Sequence, residues 1–234
     1  MIEKFACRLI PPTSWFFSFV IAISLAVVGS RSTLGQEAEK IDLKTLPKSP
    51  PNVERWLKDW EVQFTTGKLP PDHAANRRRL SGFTQYEVAY TYKCQPTWRF
   101  DRTSGNIRIQ VRFTQVSWQP KHTIWLRYPP EPNSFWDDKL VLHELDHVQL
   151  SGDTRMKKLF IEKLRAKRTI TQSVRGRGPV NQSMVDRIVK EHVASVFEEV
   201  SEMIDIRYKE LDRVTSHGRL SIPKDSEVEG WLKR

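Results

Sequence analysis

Two kinds of hydrophobic periodicity divide the chain. From Phe83 the pattern has period two: Tyr86, Val88, Tyr90 and Tyr92 alternate with more polar neighbours. Ile107, Ile109, Val111 and Phe113 likewise alternate with Arg108, Gln110 and Arg112. Each stretch reads as a strand with one face buried, and residues 123–128 form a third strand-like run. Ser104-Gly105-Asn106 between the first two is a hairpin signal. The expectation is a small, largely antiparallel sheet with one wet face. Pro129-Pro130-Glu131-Pro132 ends it, and the period becomes helical. Asn133 or Ser134 caps a helix with Asp137 and Asp138 in its first turn, well placed for the positive helix end. Leu140, Val141, Leu145 and Val148 carry its apolar stripe toward Phe160, with Ser151-Gly152 as a bend. A second long helix follows, with Val185, Ile188, Val189, Val193, Val196, Phe197, Val200, Met203 and Ile204 at helical spacing, ending before His217-Gly218. Trp56 and Trp60 sit one turn apart and form a short packing element. Strands, helix, basic loop, helix, with no internal repeat, is an α+β order.

The N-terminus departs from this pattern. Lys4 and Arg8 precede an almost unbroken apolar run from Trp15 to Val28, followed by small residues up to Gly35. That layout predicts a signal peptide over 1–35 and an exported protein, periplasmic or extracellular, with an uncleaved N-terminal membrane anchor as the alternative. Residues 36–52, with Pro47, Pro50 and Pro51, read as a polar linker, 53–220 as a single domain and 221–234 as a tail. Removing Cys7 with the signal leaves Cys94 alone, so no internal disulfide supports the fold. Cys94 reads as a small buried residue of a strand rather than a nucleophile. Hydrophobic residues at 38% exclude a disordered chain, and no apolar run suits a polytopic membrane protein.

Candidate chemistry lies in the first helix. His143-Glu144-Leu145-Asp146-His147 is an H-E-x-x-H motif: two histidines at i and i+4 project from one side, so both imidazoles reach one metal. Glu144 stands beside the first ligand, where it can accept a proton from water. Zn²⁺ suits such a site because it keeps an open position for water. A catalytic site needs a third protein ligand. Leu150 and Asp153 occupy the positions where an extended motif has glycine and a third histidine. Asp153, the second-helix glutamates Glu191, Glu198 and Glu199, and His217 are the candidates. Asp212 reads either as a residue orienting a ligand histidine or as a surface acid.

The segment Leu211-Asp212-Arg213-Val214-Thr215-Ser216-His217-Gly218 follows at the end of the second helix. Together with the H-E-x-x-H helix it resembles the domain-of-unknown-function family of predicted bacterial secreted zinc-dependent proteases. In that family a β-rich region precedes the H-E-x-x-H helix and a second helix runs into Tyr-Asp-x-x-Thr-x-His-Gly. The resemblance covers roughly residues 80–220, with Leu211 in place of the tyrosine and Tyr208 nearby but out of register. It implies a zincin-like fold, Zn²⁺ held by His143, His147 and His217, Glu144 as catalytic base, and a peptide or protein substrate. A non-catalytic envelope-binding protein and a zinc hydrolase of non-peptide amides are the alternatives.

Charge adds one feature. The net charge is +10, and segment 155–177 carries nine Lys and Arg. It reads as a solvated helix face and loop, or as a seat for an anionic envelope partner. No nucleic-acid-binding module is recognisable, and an export signal argues against nucleic acid as partner.

Overall fold

A computed structural model describes residues 38–68, 80–174 and 179–232 of the chain. The expected signal peptide, and the end of the basic segment at 175–178, lie outside the described residues. The fold is α+β, with a mixed five-stranded sheet and five α-helices among the described residues. The strands are β1 (Glu39–Lys40), β2 (Val62–Thr66), β3 (Gly82–Asp101), β4 (Asn106–Leu126) and β5 (Thr169–Ser173). The helices are α1 (Pro51–Asp59), α2 (Lys139–Gly152), α3 (Thr154–Ala166), α4 (Gln182–Thr215) and α5 (Glu227–Leu232). Among the described residues no helix is long and apolar enough to cross a membrane.

The sheet is mixed: β1–β2 and β4–β5 pair antiparallel as expected, and β2–β4 pairs parallel. Its order is β1-β2-β4-β3, with β5 pairing β4 elsewhere along its length. β4 returns from the 102–105 turn into the place beside β2, and the two run parallel, Val62 to Thr65 matching His122 to Trp125. The run at 123–128 is therefore the end of β4 and not a separate strand. What hid this continuity is a change of phase. From Arg108 to Thr114 the even-numbered residues of β4 are exposed; Gln115 is exposed as well, and from Trp118 the even-numbered residues are buried. Two successive outward residues mark a bulge, which shifts which side chains face inward. Pro96 sits within β3, which ends the strand order, the kind of strand that tolerates proline.

The described residues gather into two compact units, and β3, β4 and α4 each contribute to both. The first unit comprises described residues in 90–118 and 153–205. Ile107, Ile109, Val111 and Phe113 of β4 supply its buried face, with Phe160 of α3 and Val185, Val189, Val193 and Val200 of α4. β5, which sequence reading had placed inside the basic helix and loop, pairs antiparallel with β4, Ile109 opposite Ile170. Both of those isoleucines are buried. Cys94 lies in β3, the strand placement expected, but is half-buried rather than buried.

The second unit comprises described residues in 38–89, 119–152 and 206–232. Its core joins Val53 and Trp56 of α1, Phe64 of β2, Ile124 and Leu126 of β4, Phe135 and Trp136, and Val141, Leu145 and Val148 of α2. Each such fully buried side chain contributes roughly 1.5–3 kcal/mol. Segment 36–52, read as a linker, is packed where it is described: Ile41, Leu43 and Leu46 lie against this core. The Trp136 indole N–H also donates to the Pro47 carbonyl at 2.8 Å. The expected tail is held too, since Val228 of α5 is fully buried against Leu150 and Leu211.

α2 begins where Asp138, not Asn133 or Ser134, accepts from the backbone N–H groups of Leu140 and Val141 at 2.9 and 3.1 Å. Residues 132–137 form a 3₁₀ turn before it. The helix stops at Gly152, whose hydrogen faces the Trp60 ring so closely that a Cβ would lie 2.4 Å from Cδ2. Asp153 then caps α3 by accepting from Arg155 N–H at 2.8 Å.

A candidate metal centre on two helices

Along α2 one face buries Val141, Leu145 and Val148, while His143, His147 and Ser151 follow at four-residue spacing on another. All three are buried, at 5%, 4% and 0% exposure. A buried imidazole needs a partner for each ring nitrogen, and the last turn of α4 supplies one. The Asp212 Oδ1 atom lies 3.1 Å from His143 Nε2 and 3.1 Å from His147 Nε2. His143, His147 and Asp212 thereby form a group whose ligand atoms all lie within 4.8 Å of one another, able to hold a metal ion.

The donor chemistry fits a cation. Thr215 Oγ1 donates to the Leu211 carbonyl at 2.7 Å, so toward His143 Nδ1, 3.5 Å away, it can only accept. With its proton on Nδ1 toward Thr215, His143 turns an Nε2 lone pair to the carboxylate; with a proton on Nε2 it donates to Asp212 Oδ1. Two acceptors at 3.1 Å repel unless a proton or a metal lies between them. About 3.3 Å separates neighbouring ligands around a tetrahedral zinc with bonds near 2.0–2.1 Å. His147 Nδ1 is buried without a hydrogen-bond partner. Burial alone would raise the Asp212 carboxyl, but hydrogen bonds from His143 and His147 outweigh it and hold it well below the usual carboxylate range.

Glu144 is 2% exposed and points at the start of β3. The Thr84 hydroxyl lies 2.7 Å from its Oε2 and 3.0 Å from its carbonyl oxygen, and can donate to either. Gly82 leaves room for the carboxylate, since a Cβ there would stand 3.0 Å from Oε1. Burial pushes the Glu144 carboxyl up, opposed by His147, the Thr84 hydrogen bond and His143. Asp146, on the same helix, is raised to about 6 by burial.

His217 stands beside this group but is not a member of it. Its Nδ1 is 3.4 Å from Asp212 Oδ1, and its side chain is 75% exposed. The other third-ligand candidates do not join the group either. Asp153 caps α3 and contacts Arg155, Glu191 pairs with Arg187 and Glu199 with Lys163, and Glu198 is exposed. Asp212 was legible only as a possible orienting residue. Its position four residues before Ser216 on a helix says nothing of which neighbour it meets.

A cleft of about 230 Å³ opens beside His143. Leu142 and Asp146 of α2 and residues 218–222 line it, with Lys139 and Arg219 adding positive charge. Leu142 and Leu220 are large apolar residues left exposed there.

Behind the two helices lies a polar network that the motifs did not reveal. His122 of β4 gives its Nδ1–H to the Trp60 carbonyl at 3.0 Å, so its Nε2 accepts from Ser151 Oγ at 2.7 Å. Ser151 Oγ in turn accepts from the Tyr208 hydroxyl of α4, also at 2.7 Å. The Tyr208 ring lies against His147, with centroids 4.4 Å apart. Burial pulls the His122 pKa from the ordinary 6.5 down to about 4, against the opposing hydrogen bond to Trp60. Between pH 6.5 and 4 the unfolded chain therefore binds more protons than the folded one, and stability falls as pH is lowered through that window. The expected loss is about 3 kcal/mol. Urea unfolding at pH 7, 6, 5 and 4 measures it. His122→Asn, whose amide can mimic Nδ1–H, should flatten the slope; an unchanged slope would assign the acid sensitivity to other groups.

Two helices that present histidines and a carboxylate to one point, with a buried glutamate beside them, define a candidate metal centre. No family model matches the chain, and neither a curated protein nor a solved structure matches it.

Proposed function

We propose that this protein is an exported zinc-dependent metallopeptidase with a zincin-like active-site helix. The observation that carries the reading is the meeting of His143, His147 and Asp212 within 4.8 Å, next to a buried Glu144. In this reading His143 Nε2, His147 Nε2 and Asp212 Oδ1 hold the ion, and His217 stays at the rim beside Asp212. Bound there, Zn²⁺ would supply Lewis acidity to a substrate carbonyl and to water. Glu144 takes the proton from the attacking water and delivers it to the leaving amine. The Thr84 hydroxyl holds the Glu144 carboxylate in place, and Thr215 fixes the His143 ring so that Nε2 faces inward. The cleft of Leu142 and Leu220 takes one side chain of the peptide, and closing it with substrate excludes water from the reacting bond.

Elemental analysis of the purified protein tests this. One zinc per chain is expected, lost in His143→Ala and Asp212→Ala and retained in His217→Ala. Zinc lost in His217→Ala and kept in Asp212→Ala would return the third position to His217. Protein that takes up no zinc when it is supplied would reject the reading and favour a non-catalytic binding protein.

A further inference from the structure

The strands of the first unit have a solvent face that the metal centre does not use. Tyr92 of β3 and Phe113 of β4 meet on the core side, with ring centroids 5.8 Å apart, so the odd-numbered residues of β3 and the even-numbered residues of β4 share the opposite side. There Lys93, Arg99, Arg108 and Arg112 are all exposed. None of the four forms an ion pair or a side-chain hydrogen bond among the described residues. Between them stand neutral hydrogen-bonding side chains. Arg108 is in register with Thr171 of β5, and Gln110 with Thr169. The one acid on this face, Asp101, closes the hairpin turn, accepting from Thr103 N–H and Ser104 Oγ at 2.9 and 2.7 Å.

The contrast with α3 is informative. The basic helix is richer in cations, but Arg155, Lys158 and Lys163 are paired with Asp153, Glu162 and Glu199. The sheet face holds its arginines open and spaced by the pleat. Guanidinium groups present paired N–H donors that match carboxylates, and the rows of Thr and Gln match hydroxyls. No aromatic ring is exposed on this face to stack a nucleic-acid base. The large apolar residues exposed among the described residues, Tyr128, Leu142, Ile206 and Leu220, all lie elsewhere in the chain, so nothing here enters a bilayer.

We propose that the Lys93–Arg99–Arg108–Arg112 face of the β3–β4–β5 sheet binds a linear polysaccharide of carboxylated sugars. The polymer lies across the strands, its carboxylates on the arginines and its hydroxyls on the threonine and glutamine rows. Since charge supplies the attraction, binding weakens as salt is raised.

The test titrates the purified protein with polygalacturonate at about 50 mM salt. The Arg99→Gln/Arg108→Gln/Arg112→Gln variant, changed only at exposed positions, should bind at least about tenfold more weakly. The Lys157→Gln/Lys158→Gln/Arg165→Gln variant of α3 should stay within about threefold of wild type. Circular dichroism confirms that each variant is folded. Equal binding by the sheet variant, or no binding by wild type, overturns the proposal. So does tighter binding of oligo-dT or phosphatidylglycerol vesicles through the same arginines, which would assign the face to nucleic acid or membrane.

Discussion

Glu144→Gln is expected to lower peptide hydrolysis by a factor of about 10²–10⁴ while leaving zinc at one per chain. The substitution keeps the size of the side chain and its contact with Thr84, whose hydroxyl lies 2.7 Å from Oε2. It removes the ability to accept a proton from water. Glu144 is 2% exposed, so no bulk water stands in for the lost base. Because the three proposed ligand atoms belong to other residues, metal content and the fold should be unchanged. Thr84→Val separates positioning from proton transfer: it should reduce kcat by a smaller factor and leave the metal in place. Full activity in Glu144→Gln would remove Glu144 from the mechanism, and loss of zinc in that variant would mean that it supports the metal instead.

The second large effect is expected at Gly218. After α4 ends at Thr215, Ser216, His217 and Gly218 all take positive φ, 48°, 56° and 79°. That left-handed run turns the chain back over α2. The turn is held by Leu220 N–H donating to the Thr215 carbonyl at 2.8 Å, and by Gly218 N–H donating to Thr215 Oγ1 at 3.2 Å. A Cβ on Gly218 would lie 2.8 Å from His143 Cβ and 2.9 Å from Cγ. Gly218→Ala therefore combines backbone strain of about 1–3 kcal/mol with displacement of the His143 ring. Since moving the support of a ligand histidine typically costs about 10–100-fold in metal affinity, zinc should bind at least tenfold more weakly in Gly218→Ala. Competition with a chromogenic chelator measures this. Urea unfolding without metal separates the stability loss from the loss at the site. Wild-type zinc affinity in Gly218→Ala would show that the loop yields without moving His143.

Much of the fold's local content was readable along the chain. The two-residue alternation of Ile107 to Phe113 and the helical stripes of α2 and α4 are set by which faces must leave water, and they appear where the pattern puts them. The joining of residues 106–126 into one strand was not readable, because the bulge near Gln115 breaks the alternation and resembles a strand end. β5 was masked by composition. A charged stretch followed by Thr169-Ile170-Thr171 reads as loop, and only its partner β4 makes it a strand. The parallel β2–β4 pairing has no local signal at all, since register between distant segments is chosen by the core they share.

At the site the division follows the same physical line. The sequence by itself determined that His143 and His147 share one helix face with Glu144 beside them, because a four-residue spacing on a helix leaves no other geometry. The resemblance noted in the sequence grouped Asp212, Thr215, His217 and Gly218 as one motif at the end of α4. Which member of that motif meets the histidines was decided by tertiary structure. The left-handed turn after Thr215 directs His217 outward and brings Gly218 against His143. Asp212, still inside the helix, is left facing both Nε2 atoms. Local spacing is fixed by covalent geometry and helix pitch. The meeting of α2 and α4 depends on how Leu150, Leu211 and Val228 pack, and no segment of sequence carries that alone.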